Sequence, residues 1–585
     1  MSRGPRLSCW MVVACALLPG PLLARQRIPA TYVVLELDPD GVPTPVFVSD
    51  VDLAVAPPSV AEPRWQLAAA AADGEWVAAR LLDPDGRVLH RALERRERWI
   101  RGEHRGAETE GGWEIEAHFL RAGRSAVALR LPRLAGARLE VAGPVAAVYD
   151  LDALRSGAAT LRLGRTGARS RVISVETPQA DPANRVDLLV LGDGYRSDQR
   201  SLFDVHAAAL LGSFFGVSPY EEYANFLNVV TGFVPSAQAG ADHPPYLASC
   251  PPNDDPTCCA DPAALGDPLA GTYVDTAFDA RFCSYNIHRL LVVDTAAVLA
   301  AAGAYPDWDR ILVQVNDTTY GGSGGQISVL SAHAQAPLIG VHEYGHSFTG
   351  LADEYDSAFP GYPPCSDFSG PACEANVTDQ TALASIKWEP WIPPGTPIPT
   401  PENAGYGNVV GLFEGARYRA TGMYRPRDTA CNMHYLYPYF CEVCRQEYVL
   451  RLYRGGWGEP ASGIDAIEPG SESPAPGSVS IAATGRVFAA AVLDPAGGPS
   501  QQASWRVDGA LQPGANQRWF FFDPTASGPY TLELRVEDPT AFVHPDLAGG
   551  LLRTTRTWTV AVGPDVIFVD GFASGDTTSW SASAP

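Results

Sequence analysis

Three residues stand out for the chemistry that their types and spacing allow. His342, Glu343 and His346 lie in the run Leu338-Ile339-Gly340-Val341-His342-Glu343-Tyr344-Gly345-His346-Ser347-Phe348-Thr349-Gly350. Pro337 suits the first turn of a helix and Gly350 its end. Leu338, Val341, Gly345 and Phe348 recur on one stripe that a core would cover. Positions four apart stack on one helix face, so His342 and His346 are expected to turn two imidazoles toward one metal ion. Glu343, one step round, then reaches a water at that ion. Neutral imidazoles suit Zn²⁺, and two of them leave room for one more protein ligand and an open position. The competing reading is a pair of core histidines beside a surface glutamate.

A third ligand must follow the helix. Gly350-Leu351-Ala352-Asp353-Glu354-Tyr355 turns the chain and offers two adjacent carboxylates. Asp353, three residues past the glycine, is the preferred ligand. Glu354, with its longer reach, is the alternative, and a more distant carboxylate is a third. Either acid could instead accept a ring N–H from a ligating histidine.

Upstream, Tyr320-Gly321-Gly322-Ser323-Gly324-Gly325 precedes the strand-like Gln326–Leu330. So many glycines predict close backbone approach, and Gly322 and Gly325 are candidate positions where an extended substrate pairs with a sheet edge. A plain turn is the competing reading. Gly192-Asp193-Gly194 reads as a structural turn after a strand, with a cation site as the competing reading. Asp242, Asp254, Asp255 and Asp275 share the segment 242–283 with four cysteines, a setting in which a structural Ca²⁺ is a further candidate.

Positioning these residues requires a large scaffold, and 585 residues suffice for three or four domains. Strand-like text with turn signals fills residues 28–150 and suits an antiparallel sandwich. From 185 the pattern changes to apolar strands alternating with helices: Val186–Leu191, Leu227–Val230, Leu290–Val293 and Ile311–Val315, with helical spacing over Ser201–Phe215. That alternation predicts an α/β sheet. The domain ends near 458. Residues 466–476 read as a linker by their Pro, Gly, Ser and Glu content, and 477–562 return to short strands spaced as in an Ig-like sandwich.

Lys+Arg 43 against Asp+Glu 66 gives a net charge of −23. A general nucleic-acid binder is excluded, because phosphate contacts need concentrated basic surface. Residues 1–24, with Arg3 and Arg6 before an apolar stretch and Ala24 at its end, read as a signal peptide. A secreted or extracellular protein is expected, with the periplasm as the alternative compartment and no integral membrane segment. Nine of the eleven cysteines follow the leader, all between 250 and 444. In an exported chain they predict disulfides within one domain, with at least one thiol left over; for Cys441-x-x-Cys444 structural disulfide bonding is the preferred reading and a redox or zinc pair the competing one.

The segment His342–Tyr355 resembles the zinc motif of the bacterial IgA peptidase family of metallo-endopeptidases. Val190-Leu191-Gly192-Asp193-Gly194-Tyr195, Phe226-Leu227-Asn228-Val229 and Tyr320–Gly325 carry the same resemblance, which spans 185–450 and extends to 28–150 as the family's amino-terminal domain. More broadly, Cys431-Asn432-Met433-His434-Tyr435 is similar to the methionine turn of metzincin-like enzymes. The resemblance implies Met433 as an apolar floor beneath the metal and Tyr435 as an oxyanion-stabilising hydroxyl. Gly350 lies four residues after His346 where the usual pattern has three, which leaves the third ligand open.

These readings give a multidomain chain: signal peptide 1–24, N-terminal β-sandwich 28–150, central α/β metzincin-like zinc peptidase domain 185–458, linker 466–476, C-terminal Ig-like β-sandwich 477–562 and tail 563–585. The implied activity is hydrolysis of protein or peptide substrates by metal-activated water, with Glu343 as general base. The alternatives are a secreted binding or adhesion protein with a structural metal, and a zinc amidase acting on cell-wall peptides. The flanking sandwiches are expected to position substrate or to attach the enzyme to a surface or glycan.

Overall fold

Strand β1 (Ile28–Leu37) buries Val33, Leu35 and Leu37 on one face and Tyr32 and Val34 on the other. A strand that is apolar on both faces must be covered on both. The computed structural model, which describes residues 27–70, 76–97, 99–109, 112–142, 146–157, 174–175, 179–357, 362–429, 431–455 and 463–563, shows by what. Leader 1–24 and all of the tail beyond residue 563 lie outside the described residues.

After β1 come β2 (Pro43–Leu53), α1 (Glu62–Ala70), β3 (Trp76–Leu82), β4 (Val88–Arg95), β5 (Trp99–Thr109), β6 (Gly112–Arg121), β7 (Ser125–Pro132), β8 (Arg138–Ala142), β9 (Ala147–Asp150) and α2 (Leu151–Ser156). Sheets β2-β1-β7 and β4-β3-β8-β9 enclose one core, where Val33 and Leu35 meet Val77, Leu81 and Leu139. The β5-β6 hairpin stands apart from both sheets. Strands alone were expected here. Instead α1 covers β3, its buried Trp65 donating from the indole to the Ala79 carbonyl at 2.9 Å. The second face of β1 packs on the central domain, and Tyr32 donates to the Leu299 carbonyl across that boundary at 2.9 Å.

The central sheet has the order β10-β12-β11-β13-β15-β14, built from β10 (Ser174–Val175), β11 (Val186–Asp193), β12 (Leu227–Phe233), β13 (Arg310–Val315), β14 (Gly322–Ser323) and β15 (Ile327–Ser331). Its four inner strands are parallel. Every residue of β11 is buried, because Leu188 and Val190 face one core while Leu189 and Leu191 face another. Helices α3 (Arg200–Phe214) and α5 (Ala336–Tyr344) share the first core, and α4 (Thr295–Ala302) the second. The expected strand Leu290–Val293 does not join this sheet. Its backbone groups are taken by Arg281 and Gly322 in isolated bridges, so the apolar run is a buried rim loop.

Hairpin β16 (Phe413–Ala416) and β17 (Arg419–Arg425) and helix α6 (Glu442–Arg454) complete the central domain. Beyond it β18 (Gly477–Ile481), β19 (Arg486–Ala489), β20 (Gln502–Val507), β21 (Ala510–Leu511), β22 (Trp519–Phe522), β23 (Gly528–Glu537) and β24 (Arg553–Val562) form the sheet β18-β24-β23-β20-β21 and the pair β19-β22. Trp505 and Trp558 stack between them at 5.6 Å. Segment 466–476 is not a free linker. Ala466 and Ile467 are wholly buried, Ser473 and Ala489 exchange backbone hydrogen bonds, and Arg556 pairs with Glu472. Proline and serine there serve a packed irregular edge. Asp538 receives the hydroxyls of Tyr223 and Tyr453, both at 2.7 Å, and so fastens this region to the central domain.

Disulfides join Cys250 to Cys258, Cys259 to Cys283 and Cys365 to Cys373. The expected Cys441–Cys444 bridge is absent: both are buried thiols, as is Cys431. Helix α6 starts at Glu442, so the two cysteines sit at its start; Cys431 Sγ lies 3.6 Å from Cys444 Sγ and accepts from the Cys441 backbone N–H at 3.4 Å.

Candidate metal centre

Helix α5 runs from Ala336 to Tyr344 and continues as a single π-helical turn over Gly345–Thr349. Gly350 ends it at φ 75°, a left-handed value that glycine adopts without steric penalty. Val341 and Phe348 are completely buried, each contributing about 1.5–3 kcal/mol through burial. The carbonyls of the widened turn are held by two arginines: Arg310 from β13 donates to Ser347 at 2.9 Å, and Arg451 from α6 to Phe348 at 3.3 Å. Such cations at a helix C-terminus satisfy orphan carbonyls and oppose the dipole.

On this support His342 and His346 bring their Nε2 atoms within 3.0 Å of each other. The chain returns after Gly350 and sets Asp353 Oδ1 at 3.2 Å from His342 Nε2 and 3.0 Å from His346 Nε2. His342 Nδ1 donates to the Asn432 carbonyl at 2.8 Å, and His346 Nδ1 to the Leu351 carbonyl at 2.7 Å. A carbonyl only accepts, so both rings carry their proton on Nδ1 and aim an Nε2 lone pair at the common point. Two imidazole lone pairs and a carboxylate oxygen converging in this way form a donor set for a cation, and the type and number of donors fit Zn²⁺.

Asp353 is fully buried. Burial acts to raise its carboxyl, but the imidazoles of His346 and His342 and the Arg101 guanidinium outweigh it and hold the group well below the usual carboxylate range. Its second oxygen accepts from the Tyr418 hydroxyl at 2.8 Å and faces Arg101 at 3.5 Å. Glu354 points away from the histidines. Its Oε1 accepts from Asn376 at 2.9 Å, and burial pushes its carboxyl up to about 8.

Met433 is completely buried beneath the helix, its sulfur 3.0 Å from where a Cβ on Gly345 would lie. Glu343 is also completely buried and lies against Gly324, where an added Cβ would overlap its carboxylate. Tyr435 is half-buried and packs on the rings of His434 and Tyr437. The hydroxyl beside the ligand atoms is that of Tyr355, 3.1 Å from His342 Nε2. Sequence reasoning missed Tyr355 and Tyr418, although Tyr355 stands two residues after Asp353.

The glycine-rich edge is not open. Gly322 pairs with Leu330 within the sheet, Gly325 lies against Trp99 and Glu97, and Gly324 exchanges both backbone hydrogen bonds with Arg101 of β5, at 2.8 and 3.2 Å. The N-terminal region thus occupies the edge assigned to substrate. Beside it a cleft of about 1000 Å³ reaches His346, with Trp99, Arg101 and Arg417 in its wall.

Asp193 is a structural hub: it accepts from Thr276, Ser236 and the backbone of Phe278 and Ala280. The acids expected to hold Ca²⁺ do not converge. Asp242 accepts from the Val274 backbone, Asp254 pairs with Arg281 and Asp255 accepts from Thr257, and among the described residues none of the four acids belongs to a group whose ligand atoms converge.

The fold brings His342, His346 and Asp353 together, at the rim of an α/β sheet, as a group whose ligand atoms could hold one metal ion. Residues 175–249 and 257–405 match the sequence model of the family described as IgA Peptidase M64, so this central part of the chain is similar to that peptidase family. The matched segment contains His342, Glu343, His346 and Asp353 and ends before Met433. No curated protein matches the chain significantly.

Proposed function

We propose that the protein is a secreted, metzincin-like zinc endopeptidase that cleaves protein or peptide chains, with His342, His346 and Asp353 as metal ligands and Glu343 as general base. The observation that carries this reading is the convergence of two Nε2 lone pairs and one carboxylate oxygen within 3.0–3.2 Å, with both Nδ1 atoms committed to carbonyls. Bound there, zinc supplies Lewis-acid polarisation of a carbonyl and acidification of water. Glu343 takes the proton of the attacking water and returns it to the leaving amine. Tyr355 donates to the oxyanion from the hydroxyl nearest the ligands, with Tyr435 as the alternative donor. Met433 supports the histidines by packing. Three disulfides accord with an oxidising compartment, and among the described residues no helix is long and apolar enough to cross a membrane. The C-terminal sheets, Ig-like in arrangement, brace the central domain.

Glu343→Gln tests the reading. Zinc content should stay at the wild-type level while peptide hydrolysis falls by about 10²–10⁴-fold. Hydrolysis at the wild-type rate would remove Glu343 from the mechanism.

A further inference from the structure

Cys431, Cys441 and Cys444 come from a turn and a helix start, yet their sulfurs gather around the Glu354 carboxylate with all ligand atoms within 4.8 Å of one another. Cys431 Sγ lies 3.6 Å from Cys444 Sγ, and Cys444 Sγ 3.5 Å from Glu354 Oε1. Tetrahedral zinc with the usual bond lengths sets sulfur–sulfur edges at about 3.8 Å and sulfur–oxygen edges at about 3.5 Å. All four residues are buried. Glu354 Oε2 has no hydrogen-bond partner, a costly state for a buried carboxylate oxygen unless a cation meets it. Cys441 caps α6 and Cys444 lies in its first turn, where the helix dipole favours thiolate. Arg425 acts electrostatically on Glu354, and Arg427 on Cys431 and Cys441, so the surroundings suit an anionic cluster.

We propose that Glu354, Cys431, Cys441 and Cys444 form a second, structural zinc site. Four protein ligands close it, so it has no position for substrate. Binding is acid–base only: Zn²⁺ displaces the thiol protons to solvent, and nothing is oxidised or reduced. Its place in the fold gives it a purpose. The Glu354 backbone N–H donates to the Met433 carbonyl at 2.9 Å, so the site clamps the segment carrying Asp353 to the Met433 turn and to α6. The proposal does not depend on the peptidase reading.

The test uses the full chain. Elemental analysis should find two zinc ions in the wild type and one in His346→Ala. Cobalt-loaded His346→Ala should show a thiolate-to-cobalt charge-transfer band, which a site of histidines and a carboxylate lacks, and a further Cys444→Ser change should abolish it. If the double variant does not fold, His346→Ala alone decides. One zinc in the wild type, none in His346→Ala, and a disulfide among Cys431, Cys441 and Cys444 in non-reducing mass spectrometry would overturn the proposal.

Discussion

Gly324 and Glu343 approach so closely that a methyl group on the glycine would occupy the space of the carboxylate. The Gly324 backbone is fixed by its bonds to Arg101, so the glutamate has to move instead. Gly324→Ala should retain the metal at His342, His346 and Asp353 and lower kcat by about 10²-fold, the scale of an ångström-sized misplacement of a reacting group. Steady-state kinetics with metal analysis check this, and unchanged kcat would show that Glu343 needs no such fit.

This relationship also marks where the sequence ceased to be legible. The histidine pair could be read because its geometry is local: residues four apart meet on any helix. Met433 and the region of Asp353 followed from motif text. The reason for a glycine at 324 could not be read, because it lies in a carboxylate nineteen positions away and in a strand from the N-terminal region. Leu290–Val293 has strand composition but finds its partners in single bridges. Cysteine counting forecast disulfides, yet three thiols gather around an acid that the motif had nominated for the other site.

Two tyrosines compete for the oxyanion role. Tyr355→Phe should lower kcat by about 10²-fold with little change in KM, while Tyr435→Phe leaves kcat near the wild-type value. The reverse pattern would transfer the role to Tyr435.

The Arg101–Gly324 pairing places the chain's own strand on the edge that the sequence reading assigned to an extended substrate. Arg101→Pro removes the N–H that donates to Gly324 and should lower KM several-fold if substrate takes the same edge. Arg101→Ala, which removes only the guanidinium facing Asp353, is the control. Equal KM in wild type and Arg101→Pro would show that substrate binds elsewhere in the cleft.

Stability should depend on a buried acid pair. Burial holds Asp309 up at about 6, and burial together with Asp309 pushes Asp187 well above its usual range. Both groups are held above their unfolded values, so the stabilisation is full below about pH 4, and the Asp309 contribution is lost as pH rises through about 6. Asp309→Asn should therefore raise Tm at about pH 8 and make little difference at about pH 4. A Tm difference independent of pH would contradict the assignment.

Asp538, beyond residue 458, accepts two phenols from the domain before it. Those phenols, Tyr223 and Tyr453, belong to the same apolar core as Val341 and Phe348 of the metal-bearing helix. An expression fragment cut at the apparent end of the peptidase segment would therefore strip one wall from its own interior. The smallest piece that folds faithfully has to carry the last sheet with it, which makes that sheet part of the catalyst's architecture rather than its luggage.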